Sequence, residues 1–356
     1  MAGRLLLLRA GSGISNSLLR SLNSGDPSVH VVGCHNDPFV LKKSVANRNY
    51  VVPDSPRRER LRALCRIIKT ERIDLVVPTS DQDVRVISEV RDELPCHVFL
   101  PRSSVIECCQ DKFKLTAFLR RHGIPSPLTY AISSLAQIEE LFRRISPRSR
   151  LWCRIRKGSG SLAAIPVETP DHVRGWIRYW QEMRGVPPGS FTLSEYLPGR
   201  DFCVQCLWMN GKLVLAKMAE RLAYIESGSP SGVSSMASLA KTAFEPGVLK
   251  VCSKAIRALD PKVSGAFFID LKENDNGKPC ITEINAGRFA SMTNLHDFTG
   301  RHNMTLTYVR LGMRKRVNIR HPYDYAEDYY LVRSVDTLPT VYHADEINEV
   351  IEDLPG

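Results

Sequence analysis

Roughly the first 105 residues alternate two kinds of pattern, and that alternation restricts the fold more than any single motif. Short apolar runs lie at 4–9 (RLLLLR), 29–34 (VHVVGC), 74–80 (DLVVPTS) and 97–100 (HVFL). Between them come segments with helical spacing: one carries Leu18, Leu19 and Leu22, and the others fill about 57–71 and 81–94. Parallel strands need long crossovers, usually helices, so this order predicts a parallel α/β sheet. The turn GSGISN at 11–16 has two glycines of the dinucleotide fingerprint G-x-G-x-x-G, with Asn16 in the third place. It reads equally as a tight turn before a helix whose N-terminus suits a small anion.

After residue 110 the pattern becomes mixed. Helices are expected from 111 (DKFKLTAFLRRHG), at about 134–145, at 170–184 and near 245–259. Strands are expected at LWCRI, AAIPVE, FTLSEYL, DFCVQCLW and KLVLAKMAER, followed by a Gly/Ser-rich loop at 226–235 and a hairpin built from GAFFIDLK and PCITEIN. The segment after 321 turns acidic and aromatic (YDYAEDYY) and reads as an extension packed on the core.

With 356 residues, 43% of them hydrophobic, the chain is long enough for two or three domains with substantial cores. No apolar run approaches the roughly 18 residues of a membrane span, and the opening LLLL is far shorter than a signal-peptide core, so a cytoplasmic protein is expected. The ten cysteines are scattered, and Cys203 with Cys206 forms a C-x-x-C pair lacking the second pair or histidines of a zinc site. The formal charge of +11 points to an anionic partner. Much of it lies at 56–62, read as a solvated face, at 143–157 and at 314–321.

The hairpin carries the chemistry. Strands disfavour Glu and Asn, yet GKPCITEINAGRF places Glu283, Asn285 and Arg288 within six positions. A turn centred near 275 and 276 sets Glu283 opposite Phe268 and diagonal to Asp270, with Asn285 on the same face. A one-residue bulge would separate them. Two carboxylates and an amide oxygen suit a hard divalent cation, Mg²⁺ or Mn²⁺, better than zinc. Upstream, RIRKGSGS at 154–161 offers cations and a backbone able to approach phosphate oxygens. SEYLPGRDFCVQ provides a connecting segment, Glu195 to Leu197 with Tyr196 between them, whose peptide groups and apolar walls suit adenine, and Asp201 as a ribose acceptor.

In this order the motifs resemble an ATP-grasp enzyme of the carbamoyl-phosphate-synthase-like group, over about residues 4–312. The segment DKFKLTAFLRRHGIPSP is similar to the family's DK-helix and its G-[IV]-P-x-P turn. CRIRKGSGS resembles the phosphate loop, with Ile155 in place of the usual proline. EYLPGRDFCVQ resembles the hinge, with Gln205 in place of an acid, and EINAGRF the metal hairpin. The resemblance implies a fold of α/β and α+β type: a Rossmann-like preATP-grasp domain (1–108), ATP-grasp subdomains A (109–188) and B (189–320), and a C-terminal extension (321–356). It implies ATP phosphates at Lys112, Arg154, Lys157, Ser159, Gly160 and Ser161, adenine at Glu195, Tyr196 and Leu197, and ribose at Asp201. It further implies one or two Mg²⁺ ions at Asp270, Glu283 and Asn285.

On that resemblance the expected activity joins a carboxylate to an amine through an acyl phosphate, releasing ADP and phosphate. Arg288 and Arg221 are the candidates to hold the reacting carboxylate, Arg221 reading equally as an exposed charge at a strand end. The loop 226–235 is a candidate lid. Alternatives are a bicarbonate or carbamate kinase and a catalytically silent nucleotide-binding module. The expected partners are a small anionic carboxylate, such as an amino acid or peptide, and an amine donor, with a homodimer implied by the family. No basic, aromatic-interleaved motif favours nucleic acid.

Overall fold

The computed structural model describes residues 3–53, 57–145, 150–225, 234–335 and 337–347. The first unit runs β1 (Arg4–Leu8), α1 (Gly13–Gly25), β2 (His30–His35), α2 (Pro38–Leu41), β3 (Arg48–Val51), α3 (Arg57–Glu71), β4 (Leu75–Val77), α4 (Asp81–Val90), β5 (His97–Val98) and α5 (Ser103–Gln110). Its five strands are parallel, in the order β3-β2-β1-β4-β5. The run of leucines in β1 is explained by its central place. Leu6 and Leu8 enter one apolar core and Leu5 and Leu7 another, as expected where both faces of a parallel strand are covered.

Gly11 in the glycine-rich turn has φ +88°, and a Cβ there would lie 2.0 Å from the carbonyl oxygen of Val40. The glycine is thus required by the close passage of the α2 segment. Ser12 caps α1, its side chain accepting from the Ser15 amide.

The chain continues with α6 (Lys112–Arg121), β6 (Thr129–Ala131), α7 (Ile138–Ile145), β7 (Leu151–Ile155), β8 (Ile165–Val167), α8 (Pro170–Arg184) and β9 (Phe191–Glu195). These strands make an antiparallel sheet, β6-β9-β7-β8, with its own core against α7 and α8. Then come β10 (Asp201–Met209), β11 (Lys212–Tyr224), β12 (Ala237–Thr242), α9 (Pro246–Leu259), β13 (Gly265–Glu273), β14 (Pro279–Ala286), α10 (Thr293–Asp297), α11 (Met304–Gly312), β15 (Tyr329–Val332) and β16 (Thr340–His343). They form a seven-stranded antiparallel sheet, β14-β13-β10-β11-β12-β15-β16. One face shares an apolar core with the parallel sheet, through Cys206, Trp208, Phe267 and Ile269 among others. The other face carries Asp270 and its neighbours.

The segment after 321 contributes the last two strands of this sheet. Its attachment includes a buried ion pair, Lys217 Nζ to Asp324 Oδ2 at 3.0 Å. All ten cysteines are free thiols. Cys203 and Cys206 enter different cores, so their spacing serves packing. Among the described residues no group of three His, Cys, Asp or Glu is placed to hold a metal, and no helix is long and apolar enough to cross a membrane. Part of the basic run at 56–62 is committed inward, since Arg60 Nη2 donates to the buried Asp83 at 3.0 Å. Arg58, Glu59 and Arg62 are exposed, so the run is a solvated face apart from Arg60.

Candidate functional site

The hairpin brings its three oxygen-bearing side chains together by a different register from the one expected. Near the turn, Leu271 faces Ile281 and Lys272 faces Cys280; one step further, Asp270 faces Glu283 and Phe268 faces Asn285. Thr282 is the extra residue. The turn places the strands one position out of the expected register, which alone would put Glu283 opposite Ile269, on the wrong face. The bulge at Thr282 adds a second shift and restores the face. Glu283 is therefore directly opposite Asp270, not Phe268. The bulge is itself held, with Thr282 Oγ1 donating to the Asp270 carbonyl at 3.1 Å and Arg154 Nη2 to the Thr282 carbonyl at 2.9 Å.

Each acceptor meets a cation or a donor. Arg221 pairs with Asp270 and, at 2.9 Å, with Asp201, so this guanidinium is half-buried in the site and is not an exposed charge at a strand end. Asn285 Nδ2 donates to Asp270 Oδ2 at 3.2 Å, while its oxygen accepts from Arg288 Nη2 at 2.5 Å. Glu283 lies 3.4 Å from Lys112 Nζ and 4.0 Å from Arg154 Nη1. Burial, reinforced by Glu283, pushes the Asp270 carboxyl above its ordinary range against the pull of Arg221. Burial lowers the Arg154 pKa, and its Nε is buried without a partner among the described residues.

Lys112 opens α6, and Asp111 caps that helix by accepting from the Phe113 and Lys114 amides. The helix expected from 111 begins at Lys112, with Asp111 as its cap, and Asp111 also binds Arg156 at 2.8 Å. Burial opposes its charge, but Arg156 and the two amides outweigh burial and hold its carboxyl below the usual range. That pair ties the phosphate-loop segment to the helix. Lys112 Nζ donates to the Gly158 carbonyl at 2.6 Å. Beyond it Lys157, Ser159 and Gly160 are exposed and Ser161 is half-buried. Positive φ at Gly158, Gly160 and Ser161 gives this loop a backbone that strands and helices do not offer.

Arg288 is turned toward the first unit. Gly287 has φ +88°, and a Cβ there would meet Leu100 and Val84 at 2.7 and 3.0 Å, so only glycine lets β14 end against the parallel-sheet unit. Arg288 Nε then donates to Asp81 Oδ1 at 2.5 Å, and Asp81 begins α4. Burial works against the charge on Arg288, but Asp81 prevails and raises its pKa.

The remaining expected residues already have neighbours of their own. Glu195 is engaged by Leu128 through both its amide and its carboxylate, at 2.9 and 2.8 Å. Tyr196 lies beside Trp152 and under Arg150, and Leu197 is buried. Asp201 accepts from Tyr224 as well as from Arg221. Gln205 is a buried strand residue whose Nε2 donates to the Phe267 carbonyl at 3.0 Å. The loop 226–235 lies, over 226–233, outside the described residues. Sequence reasoning did not single out Asp81, which falls in no motif, nor Arg156, which lies within RIRKGSGS, because both act through pairs distant in the chain.

By sequence the chain matches no family model and no curated protein. By structure it is similar to an L-amino acid ligase from Bacillus licheniformis, at 12% identity and TM-score 0.68, covering 92% of this chain and 78% of the other. It is also similar to the biotin carboxylase domain of the 2-oxoglutarate carboxylase of Hydrogenobacter thermophilus, solved with MgADP, ADP and bicarbonate, at 12% identity and TM-score 0.70, covering 93% and 74%. A third is carboxyaminoimidazole ribonucleotide synthase from Aspergillus clavatus complexed with ATP, at 15% identity and TM-score 0.68, covering 93% and 81%. A parallel five-stranded sheet followed by two antiparallel sheets is the ATP-grasp architecture, and this chain has it.

Proposed function

We propose that the chain is an ATP-dependent carboxylate–amine ligase acting through an acyl phosphate. The observation that carries this reading is a division of charge across one gap. The hairpin supplies Asp270, Glu283 and Asn285, and the four-stranded unit with its leading helix supplies Lys112 and Arg154, both within 4.0 Å of Glu283. A structural ion cluster gains little from leaving a buried Arg154 nitrogen without a partner, whereas a phosphate oxygen would satisfy it.

Asp270, Glu283 and Asn285 fit Mg²⁺: they are all oxygen donors, two of them are carboxylates, and Asp270 is desolvated beside a second carboxylate. When bound, the ion supplies charge neutralisation at the transferring phosphoryl group. The chain's own residues do the rest. Lys112, Arg154 and the loop of Lys157, Ser159, Gly160 and Ser161 hold the nucleotide phosphates. Because Glu195 is already engaged, the adenine edge falls to the peptide groups of Tyr196 and Leu197. Asp201 already accepts one bond at each oxygen, from Arg221 and Tyr224, and its remaining lone pairs would take a ribose hydroxyl. Arg288 and Arg221 orient the substrate carboxylate, whose oxygen attacks the γ-phosphorus as ADP leaves; the amine then displaces phosphate from the acyl phosphate.

The test is release of ADP and phosphate from Mg²⁺-ATP, with pooled carboxylic acids and pooled amines. Dependence on both pools supports the ligase, and AMP with pyrophosphate in their place defeats the acyl-phosphate route. Bicarbonate is the second reading, favoured by the likeness to a domain solved with MgADP and bicarbonate; it requires ADP formation with bicarbonate as the sole acid.

Asp81 is a positioning residue in this scheme, since it touches Arg288 and not the substrate. Removing its charge while keeping its size, Asp81→Asn, loosens a charge-assisted bond of about 1.5–3 kcal/mol. The expected result is about a 10- to 100-fold rise in KM for the acid with less than a threefold change in KM for ATP. Equal changes in both constants would count against it.

A further inference from the structure

We propose that Arg333 and His296, beside Arg221, form a subsite for a small anionic group, carboxylate or phosphate, at the non-reacting end of the acid substrate. The identity of that molecule as a substrate rests on the ligase reading; the anion site itself rests on the geometry below.

Arg333 directly follows β15 and is 8% exposed. Its Nε donates to the Ala237 carbonyl at 2.9 Å and its Nη1 to the Ser291 carbonyl at 3.1 Å, while Nη2 meets only the Met292 sulfur at 3.7 Å. Among the described residues no carboxylate pairs with it. A guanidinium has five N–H donors and a full charge, and neutral carbonyls answer only part of that. The other buried or half-buried cations beside it are matched: Lys217 by Asp324, Arg221 by Asp201 and Asp270, and Arg288 by Asp81. Among the described residues Arg333 is the excess positive charge. Burial and the neighbouring Arg221 lower its pKa to about 10, which leaves it charged at neutral pH.

The second observation is independent. His296 is 1% exposed, and neither of its ring nitrogens has a partner among the described residues. Its amide bonds to the Met292 carbonyl, so His296 lies one helical turn from the methionine that Arg333 touches, on the same side of α10. Burial, then Lys217 and Arg221, holds its pKa at about 3, so it is a neutral imidazole able to donate one hydrogen bond without adding charge. A buried cation without a counter-charge among the described residues and an orphaned imidazole, each close enough to Arg221 to feel its charge, together describe a site for one anionic group.

Position decides which molecule carries that group. Ser291 and Met292 lie three and four residues beyond Arg288, whereas Lys112 and Arg154 face Glu283 on β14. From β14 to β12, whose first residue Arg333 binds, is four strand spacings, roughly 19 Å. The nucleotide phosphates occupy the β14 side, so the group at Arg333 belongs to the other substrate, beyond the carboxylate that Arg288 orients.

The test compares three sets of acids by calorimetric titration in the presence of Mg²⁺ and a non-hydrolysable ATP analogue. They are propionate and butyrate, succinate and glutarate, and 3-phosphoglycerate and phosphoserine. At least tenfold tighter binding of either doubly anionic set is expected, and which set wins identifies the anion. That preference should vanish in Arg333→Gln, whose amide can keep one carbonyl tether, and return to within about threefold in Arg333→Lys. If the monoacids bind as tightly as the others to the unaltered chain, the subsite does not exist, whatever the variants do. ADP formation, measured alongside, separates the two ideas. A binding preference without turnover sinks the ligase reading and keeps the site; turnover without a preference does the reverse.

Discussion

Glu283→Ala is expected to lower ADP formation by about 1,000-fold while leaving nucleotide binding largely in place. In the ligand-free protein Glu283 is the shared anion of Lys112 and Arg154, at 3.4 and 4.0 Å. In the proposed complex those cations turn to the phosphates and Glu283 turns to the metal, so binding exchanges partners and does not add charges to an open site. Losing a metal ligand removes several kcal/mol of transition-state stabilisation, and about 4 kcal/mol is a factor near 1,000. Losing the same carboxylate also frees Lys112 and Arg154, which offsets weaker metal coordination in the ground state. The signature is a collapse of kcat with a change in ATP affinity of less than tenfold, read by steady-state assay beside equilibrium titration of the nucleotide. Glu283→Gln controls for packing. Activity within tenfold of the unaltered chain would falsify the metal assignment. The same exchange predicts that Mg²⁺ without nucleotide binds weakly, because Glu283 is held by Lys112 and Arg154 until phosphates arrive.

How much of this was readable from the sequence depends on the range over which each interaction acts. The strands and helices of the first unit were legible because patterns of two and 3.6 residues reflect burial directly. Exceptions were α2, a single turn, and β3, an exposed edge strand whose Arg48 and Tyr50 are fixed by Glu71. The helix α5 was missed because SSVIECCQ is short and only Val105, Ile106 and Cys109 are buried. The strands β15 and β16 gave no signal, since Tyr329 and Tyr330 are only partly covered, Val332 is exposed and no residue of β16 is buried.

At the site, residue types were legible and their pairings were not. Glu283 and Asn285 stood out as polar intrusions in an apolar strand. Their convergence with Asp270 was expected from a register that does not occur, and it is rescued by a bulge at Thr282 that no local pattern announces. The partners that fix the geometry, Asp81 for Arg288 and Arg156 for Asp111, lie 207 and 45 residues away in the chain. Such pairs follow from the fold, and no window of sequence contains both members.

Asp324→Ala is expected to cost about 3–5 kcal/mol of stability, although the pair it breaks is not strongly stabilising in itself. Lys217 is 3% exposed and spends its ammonium on Asp324 and on the carbonyls of His296 and Thr299. Burial lowers the Lys217 pKa, so at neutral pH its charge opposes folding. Asp324 behaves in the opposite sense. Burial alone would raise its carboxyl, but the Arg301 and His302 amides and Lys217 outweigh burial and hold it below the usual range. The pair thus roughly offsets its own desolvation, while the single truncation strands a buried ammonium. A carboxylate depressed by folding contributes stability that is present above its unfolded pKa, near 4, and lost as pH falls through its lower folded value. The gap between the unaltered chain and Asp324→Ala should therefore be flat from pH 6 to 8 and shrink below about pH 4. Lys217→Met with Asp324→Leu, which removes both charges, should recover most of the loss. Urea midpoints at each pH decide the matter: a gap under about 1 kcal/mol at neutral pH, or a double variant no better than the single, means that the extension is held by β15 pairing to β12 and not by this buried contact.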